Sequence, residues 1–102
     1  MKYIVYLTTN LINNKIYIGV HGTENPDKWD HYLGCAVFDN VPNSYNRRET
    51  PFQCAVAKYG PKNFNRKTLR IFDNLQDALD LERWLVCPDF IKREDTYNIT
   101  LG

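Results

Sequence analysis

A carboxylate at an apolar position is the first chemical signal in this chain. Between Leu75 and Val86 the apolar residues recur at helical spacings, and the stripe of Leu75, Ala78, Leu79, Leu85 and Val86 has Glu82 in its middle. Burying a carboxylate without a partner is costly. Glu82 therefore calls for an arginine partner, a place at the stripe's edge, or a task as metal ligand or general acid/base. The second signal lies near the N-terminus, where Tyr3, Val5 and Leu7 alternate with Ile4, Tyr6 and Thr8, and Ile16, Ile18 and Val20 alternate with Lys15, Tyr17 and Gly19. A strand period of two puts Tyr6, Tyr17, Gly19 and His21 on one polar face. A hairpin symmetric about residues 11 and 12 makes Tyr6 and Tyr17 direct cross-strand neighbours. Gly19, without a side chain inside a strand, marks a place where a ligand or another backbone comes close. The third signal is charge. Arg47, Arg48, Lys58, Lys62, Arg66, Lys67 and Arg70 fall between residues 40 and 75, where Glu49 and Asp73 are the only acids. Such a cluster either neutralises phosphates or forms an ordinary solvated face.

The elements that must position these residues are well punctuated. The two alternating runs flank an Asn-rich stretch, Thr9 to Asn14, and read as a β-hairpin. Asn25-Pro26 opens a short helix that ends near Gly34, and Val37 to Glu49 reads as a long exposed loop. Thr50-Pro51-Phe52-Gln53 combines a capping box with a first-turn proline, Ala55, Val56 and Tyr59 form the apolar stripe, and Gly60 stops that helix. Lys67 to Phe72 reads as a third strand. Asp73 caps the helix that carries Glu82, with Gln76 at the box position and Pro88 just past its end. A short segment around Tyr97-Asn98-Ile99 closes the chain. The fold class is α/β of the α+β kind, a small three-stranded antiparallel sheet flanked by helices, with residues 1–102 as one domain.

Composition narrows the function classes. The chain has 102 residues, 43% hydrophobic and 25% charged, with a formal net charge of +1. That describes one soluble domain with a modest core, and excludes both a strongly basic wrapper of nucleic acid and an acidic tail. No apolar run reaches membrane-spanning length and the N-terminus lacks signal-peptide architecture, so the expected location is cytoplasmic. Cys35, Cys54 and Cys87 are an odd number at wide spacing, which argues against a disulfide framework or zinc site and for packing roles.

Ile4-Val5-Tyr6, ten residues, then Tyr17-Ile18-Gly19 resembles the paired signature of the GIY-YIG nuclease superfamily, with the first motif lacking its glycine. Thr9-Asn10-Leu11, Lys15-Ile16, Ala57-Lys58-Tyr59-Gly60, Asn63-Phe64, Glu82 and Tyr97-Asn98 extend the resemblance, in order, over nearly the whole chain. It implies a GIY-YIG-like catalytic domain, a metal-dependent DNA endonuclease of the phage and homing-endonuclease type. Tyr6 and Tyr17 would line the reacting phosphate, one of them helping to deprotonate the attacking water. Glu82 would ligate one Mg2+ or Mn2+, a hard cation that takes one or two carboxylates plus water and phosphate oxygens. Asn98 would hold Glu82 or the substrate, unless it is simply a turn residue. Family members usually carry an arginine in the stretch corresponding to Asn25 to Gly34, and this chain has none there. Lys28 is the candidate replacement, with His31 one turn on, if a one-residue shift is allowed; an ungapped count puts Asp27 at that place. Gly19-Val20-His21-Gly22-Thr23 is similar to a Gly-x-His-x-Thr stretch of phage-type members and offers His21 as base or phosphate donor. Tyr32 either contributes to the site or packs in the core. Gly19, Arg47, Arg48, Lys58 and Lys62 would face the DNA. No membrane and no required protein partner is implied. A non-catalytic nucleic-acid-binding module of the same fold is the alternative, and an adaptor using Trp29 and Trp84 a third.

Overall fold

The computed structural model describes residues 1–102. Strands β1 (Lys2–Asn10) and β2 (Ile16–Thr23) form the expected antiparallel hairpin. Its register differs from the symmetric one. Tyr6 pairs with Gly19 and Thr8 with Tyr17, so the two tyrosines share a face but stand diagonally. The turn explains the shift: Asn10 still belongs to the strand, its side-chain oxygen accepts from the Ile12 N–H and its own N–H donates to the Lys15 carbonyl. Asn14 adopts the left-handed conformation, φ 63°, that asparagine tolerates.

Two further strands follow where a helix was expected. Residues 25–34 hold no helix; β3 (Tyr32–Gly34) pairs instead with β4 (Val37–Phe38), which also takes the first residues of the expected loop. A single turn does begin, with the Lys28 N–H donating to the Asn25 carbonyl and the Asp27 N–H to the Asn25 side chain. It stops because the Asp30 carboxylate accepts from the Tyr32 N–H and His31 takes φ 70°, incompatible with a right-handed helix.

Strand β5 (Phe64–Phe72) begins earlier than the charged residues suggested and pairs antiparallel with β1, giving the three-stranded sheet β2-β1-β5. Helix α1 (Pro51–Tyr59) has the capping box intact: Thr50 accepts from the Gln53 N–H, the Gln53 side chain accepts from the Thr50 N–H, and Gly60 ends the helix at φ 88°. Helix α2 (Leu75–Leu85) is capped by Asn74, not Asp73. Asn74 accepts from the Asp77 N–H, while the Asp73 carboxylate is taken by Lys2 and Gln76 donates to Asp80. The four-residue helix α3 (Pro88–Ile91) completes the elements.

Both faces of the sheet are covered. On one, Val5 and Ile18 pack with Ala78, Val86 and Phe90, joined by Leu81 and Leu85. Toward the other, Leu33, Val37, Phe52, Ala55, Val56, Phe64 and Tyr97 form a second core, with Tyr17 and Tyr59 packed against it. The face carrying Tyr6 is therefore interior, contrary to its reading as a polar side. No helix is long and apolar enough to cross a membrane.

Candidate active site

The tyrosine face is organised around a hole left by glycine. Tyr6 is 1% exposed. Opposite it, a Cβ on Gly19 would lie 2.4 Å from the Tyr6 hydroxyl oxygen and 2.7 Å from the ring carbon bearing it; one on Gly34 would lie 3.0 Å from the same oxygen and 3.2 Å from Tyr17. The close approach that the bare Gly19 backbone announced is thus made by Tyr6. Around this point the rings form a continuous row. Tyr6 lies 6.4 Å from Tyr17 and 5.9 Å from Tyr32 between centroids, Tyr17 stacks on Phe52 at 4.9 Å, and His21 stacks on Tyr32 at 3.9 Å. Gly19→Ala is expected to destabilise the fold by about 1–3 kcal/mol, the usual cost of overpacking a filled core, and to displace Tyr6. Urea denaturation checks the stability change, and near-ultraviolet circular dichroism the displacement of the ring.

His21 is held from two further parts of the chain. Its Nε2 lies 2.7 Å from Asp30 Oδ2, and Asp30 Oδ1 accepts from Arg66 Nη1 at 3.0 Å. Arg66 also donates to the Tyr32 carbonyl at 3.0 Å, lies 4.6 Å from the Trp29 ring, and has a side chain only 5% exposed. This arginine comes from β5, opposite Thr8, rather than from the stretch after the second motif. Neither Asp30 nor Arg66 stood out in the sequence as a member of this group. Burial pushes the Asp30 carboxyl up, but His21, the Tyr32 N–H and Arg66 together hold it below its ordinary value of 3.8. A carboxylate depressed on folding adds stability that is full above its unfolded pKa and is lost as the pH falls through the folded one. Denaturation from pH 6 down to pH 2 is therefore expected to show a loss of stability below about pH 4, and Asp30→Asn to remove part of that loss.

His21 lines an open cleft of about 750 Å³ together with Lys28, Trp29, Asp30 and His31. The structure thus brings His21, Lys28 and His31 to one place. His31 differs in its pairing: Nδ1 lies 2.7 Å from Asp39 Oδ1, and the side chain is 45% exposed.

Glu82 stands beside the packed stripe of α2 rather than at its centre. Leu81 faces the core in place of Leu79, Leu75 is exposed, and Glu82, flanked by Ala78 and Leu85, is half-buried. Its carboxylate has no hydrogen-bond or ion-pair partner, and burial raises its pKa above the ordinary 4.5. The Tyr17 hydroxyl is pushed upward by burial first, then by the Cys35 thiol beside it, Tyr32 and the charge of Glu82. Tyr6 is likewise raised well above the usual tyrosine value, chiefly by burial and then by Tyr32, Tyr17 and Cys35. No group of three or more His, Cys, Asp and Glu side chains forms a metal-binding cluster.

Asn98 is buried against the outer edge of β2. Its side-chain oxygen accepts from the Ile18 N–H at 2.9 Å and its amide donates to the Ile18 carbonyl at 2.8 Å, continuing the edge as a neighbouring strand would. This bonding fixes the strand between Tyr17 and Gly19. Arg47, Arg48, Lys58 and Lys62 are exposed, the first two before α1 and the others at its end and just beyond. Lys67 and Arg70 of β5 are also exposed, but they pair with Leu7 and Val5 on the other side of the sheet. The basic residues therefore divide between the two faces.

No family model matches the chain. The segB protein of Enterobacteria phage T4 is 40% identical over 102 residues, all of this chain and 39% of segB. Endonuclease segA of the same phage is 38% identical over 97 residues, 95% of this chain and 37% of segA. The chain thus spans about two fifths of the length of these relatives. Among solved structures, the catalytic domain of the intron endonuclease I-TevI, solved with a glutamate replaced by alanine, superposes with a TM-score of 0.64 at 18% identity, covering 100% of this chain and 97% of that domain. Sequence likeness to these phage proteins along the whole chain and the superposed fold of the I-TevI catalytic domain agree with the resemblance of the paired motifs to the GIY-YIG nuclease superfamily.

Proposed function

We propose that residues 1–102 form the catalytic unit of a metal-dependent endonuclease that hydrolyses DNA phosphodiester bonds in the manner of homing endonucleases. The observation that supports this best is the half-buried, unpartnered Glu82 carboxylate, whose charge is felt at the Tyr17 hydroxyl. An orphaned anion of this kind fits a divalent cation, and the lack of a multidentate cluster fits a hard ion that keeps most of its shell for water and phosphate oxygens. Mg2+ or Mn2+ held by Glu82 would supply charge stabilisation at the phosphate. The chain's own groups do the rest. A water attacks phosphorus, one phosphorus–oxygen ester bond breaks with its leaving oxygen taking a proton from solvent, and the water's proton passes to the His21 imidazole, or to Tyr17 where a cation held by Glu82 would let its hydroxyl ionise. Tyr6, almost without surface, acts by holding Tyr17 and Tyr32 in place.

Lys28 and His31, on the same cleft as His21, place charge and a hydrogen-bonding ring near the phosphate. Lysine offers a point charge without the bidentate fork of arginine. Asn98 keeps β2 in register beneath the site, and Arg47, Arg48, Lys58 and Lys62 hold flanking phosphates. A DNA substrate also accords with the expected cytoplasmic location. The second reading, a nucleic-acid-binding module without turnover, draws on the upward-shifted tyrosines, which are poor bases.

Supercoiled plasmid separates the two readings. Nicking that requires Mg2+ or Mn2+, stops in EDTA and weakens with rising salt is expected. Salt-sensitive binding without nicking under any metal would establish the module instead.

A further inference from the structure

We propose that Asp30, anchored by Arg66, is the positioning residue of this site: it fixes His21 with the proton on Nε2 and leaves Nδ1 free to take a proton during hydrolysis. The role in hydrolysis rests on the endonuclease reading above; the positioning itself does not. An ionised carboxylate can only accept, so the 2.7 Å contact with Asp30 requires that Nε2 donate. The carboxylate has little freedom to do otherwise. Its Oδ1 already accepts from Arg66 Nη1 at 3.0 Å and from the Tyr32 N–H at 3.2 Å, which turns Oδ2 toward the imidazole. Arg66 is itself immobilised by the Tyr32 carbonyl and the Trp29 ring, and the His21 ring lies nearly parallel to Tyr32, with 9° between planes.

The other histidine of the cleft shows why the anchor matters. His31 meets its carboxylate, Asp39, through Nδ1 and so exposes the opposite nitrogen, and it has no arginine behind the pair. Of the two, His21 has the fixed orientation that proton transfer needs, and the Tyr32 ring links it to Tyr6 and, through Tyr6, to Tyr17. When Nδ1 takes the proton of the attacking water, both ring nitrogens carry hydrogen and the adjacent Asp30 carboxylate stabilises the imidazolium. The leaving oxygen takes its proton from solvent.

Two readouts test this, one of them independent of activity. In 15N-detected NMR of the histidine side chains, wild-type His21 is expected as the Nε2–H tautomer, and Asp30→Asn is expected to shift it toward Nδ1–H or a mixture. In single-turnover cleavage Asp30→Asn should fall by roughly 10²–10⁴-fold with DNA affinity nearly unchanged, the range for losing a group that orients an acid–base catalyst. Asp30→Glu should restore part of the rate. Arg66→Lys, which keeps the charge without the planar fork, should lie between wild type and Asp30→Asn. An Nδ1–H tautomer in the wild type, or an Asp30→Asn protein with tautomer and rate both unchanged, would overturn the proposal. A wild type that shows the Nε2–H tautomer but cleaves no DNA would count against the endonuclease reading and leave the positioning established. If Asp30→Asn does not fold, the wild-type tautomer and Asp30→Glu carry the test.

Discussion

Replacing Glu82 with glutamine is expected to lower the single-turnover cleavage rate by about a thousandfold or more, since metal stabilisation of a phosphoryl transition state amounts to several kcal/mol. The same change is expected to make the metal-free protein more stable. Glu82 is held half-buried with no cation or donor opposite it, and burial raises its pKa above 4.5. A raised carboxyl binds its proton more tightly in the folded state than in the unfolded one, so stability falls as the pH rises through the interval above the unfolded pKa. Glutamine cannot ionise and escapes that loss. Thermal melts without metal should therefore show Glu82→Gln above wild type at pH 7, with the difference closing toward pH 4. A group retained against stability marks a functional site better than its presence on a helix does.

Tyr17→Phe is the second large expectation. Phe52 stacks on the Tyr17 ring at 4.9 Å, and phenylalanine keeps that contact, so the fold should survive. The hydroxyl is what disappears, and whether it orients the attacking water for His21 or takes its proton, the rate should drop by roughly 10²–10⁴-fold, the span of general acid–base contributions. DNA affinity measured by fluorescence anisotropy without metal should stay within about twofold, because exposed cations dominate the binding of phosphates. Loss of binding together with cleavage would instead make Tyr17 a substrate anchor. In the metal-free protein burial, Cys35, Tyr32 and Glu82 all push the hydroxyl away from the range of a base. A divalent cation held by Glu82 would oppose that push and so would tie the effect of Tyr17→Phe to metal: any residual metal-free activity should be indifferent to the substitution.

The hairpin, α1 and α2 were legible because each rests on local chemistry. Alternation from Tyr3 to Val20, the Thr50–Gln53 capping box and the period of Ala78, Glu82 and Leu85 act within a few residues. The ribbon of β3 and β4 was not. Asn25-Pro26 is a good helix opening, and it was overruled by Asp30, whose carboxylate is drawn away by His21 and by Arg66, 36 residues later. The hairpin register slipped for a similar reason, since whether Asn10 belongs to strand or turn is settled by its side chain meeting Ile12 and Tyr97.

Within the candidate site, Glu82 announced itself by interrupting an apolar pattern, and Tyr6, Tyr17, Gly19 and His21 by sharing a strand parity. Arg66 was hidden among neighbouring cations, although Phe64, Arg66 and Thr68 share the inward parity of β5 while Lys67 points away. A lone inward arginine needs an acid opposite it, and that was the available clue to Asp30. The net charge of +1 gave no hint that the cations divide between a buried anchor and two exposed faces.

The most direct test places wild type and Glu82→Ala side by side on supercoiled plasmid in Mg2+, Mn2+ and EDTA. Nicking by the wild type with either metal, none in EDTA and none by Glu82→Ala at equal DNA occupancy is the expected result. Equal nicking by both proteins would contradict a Glu82-centred nuclease site.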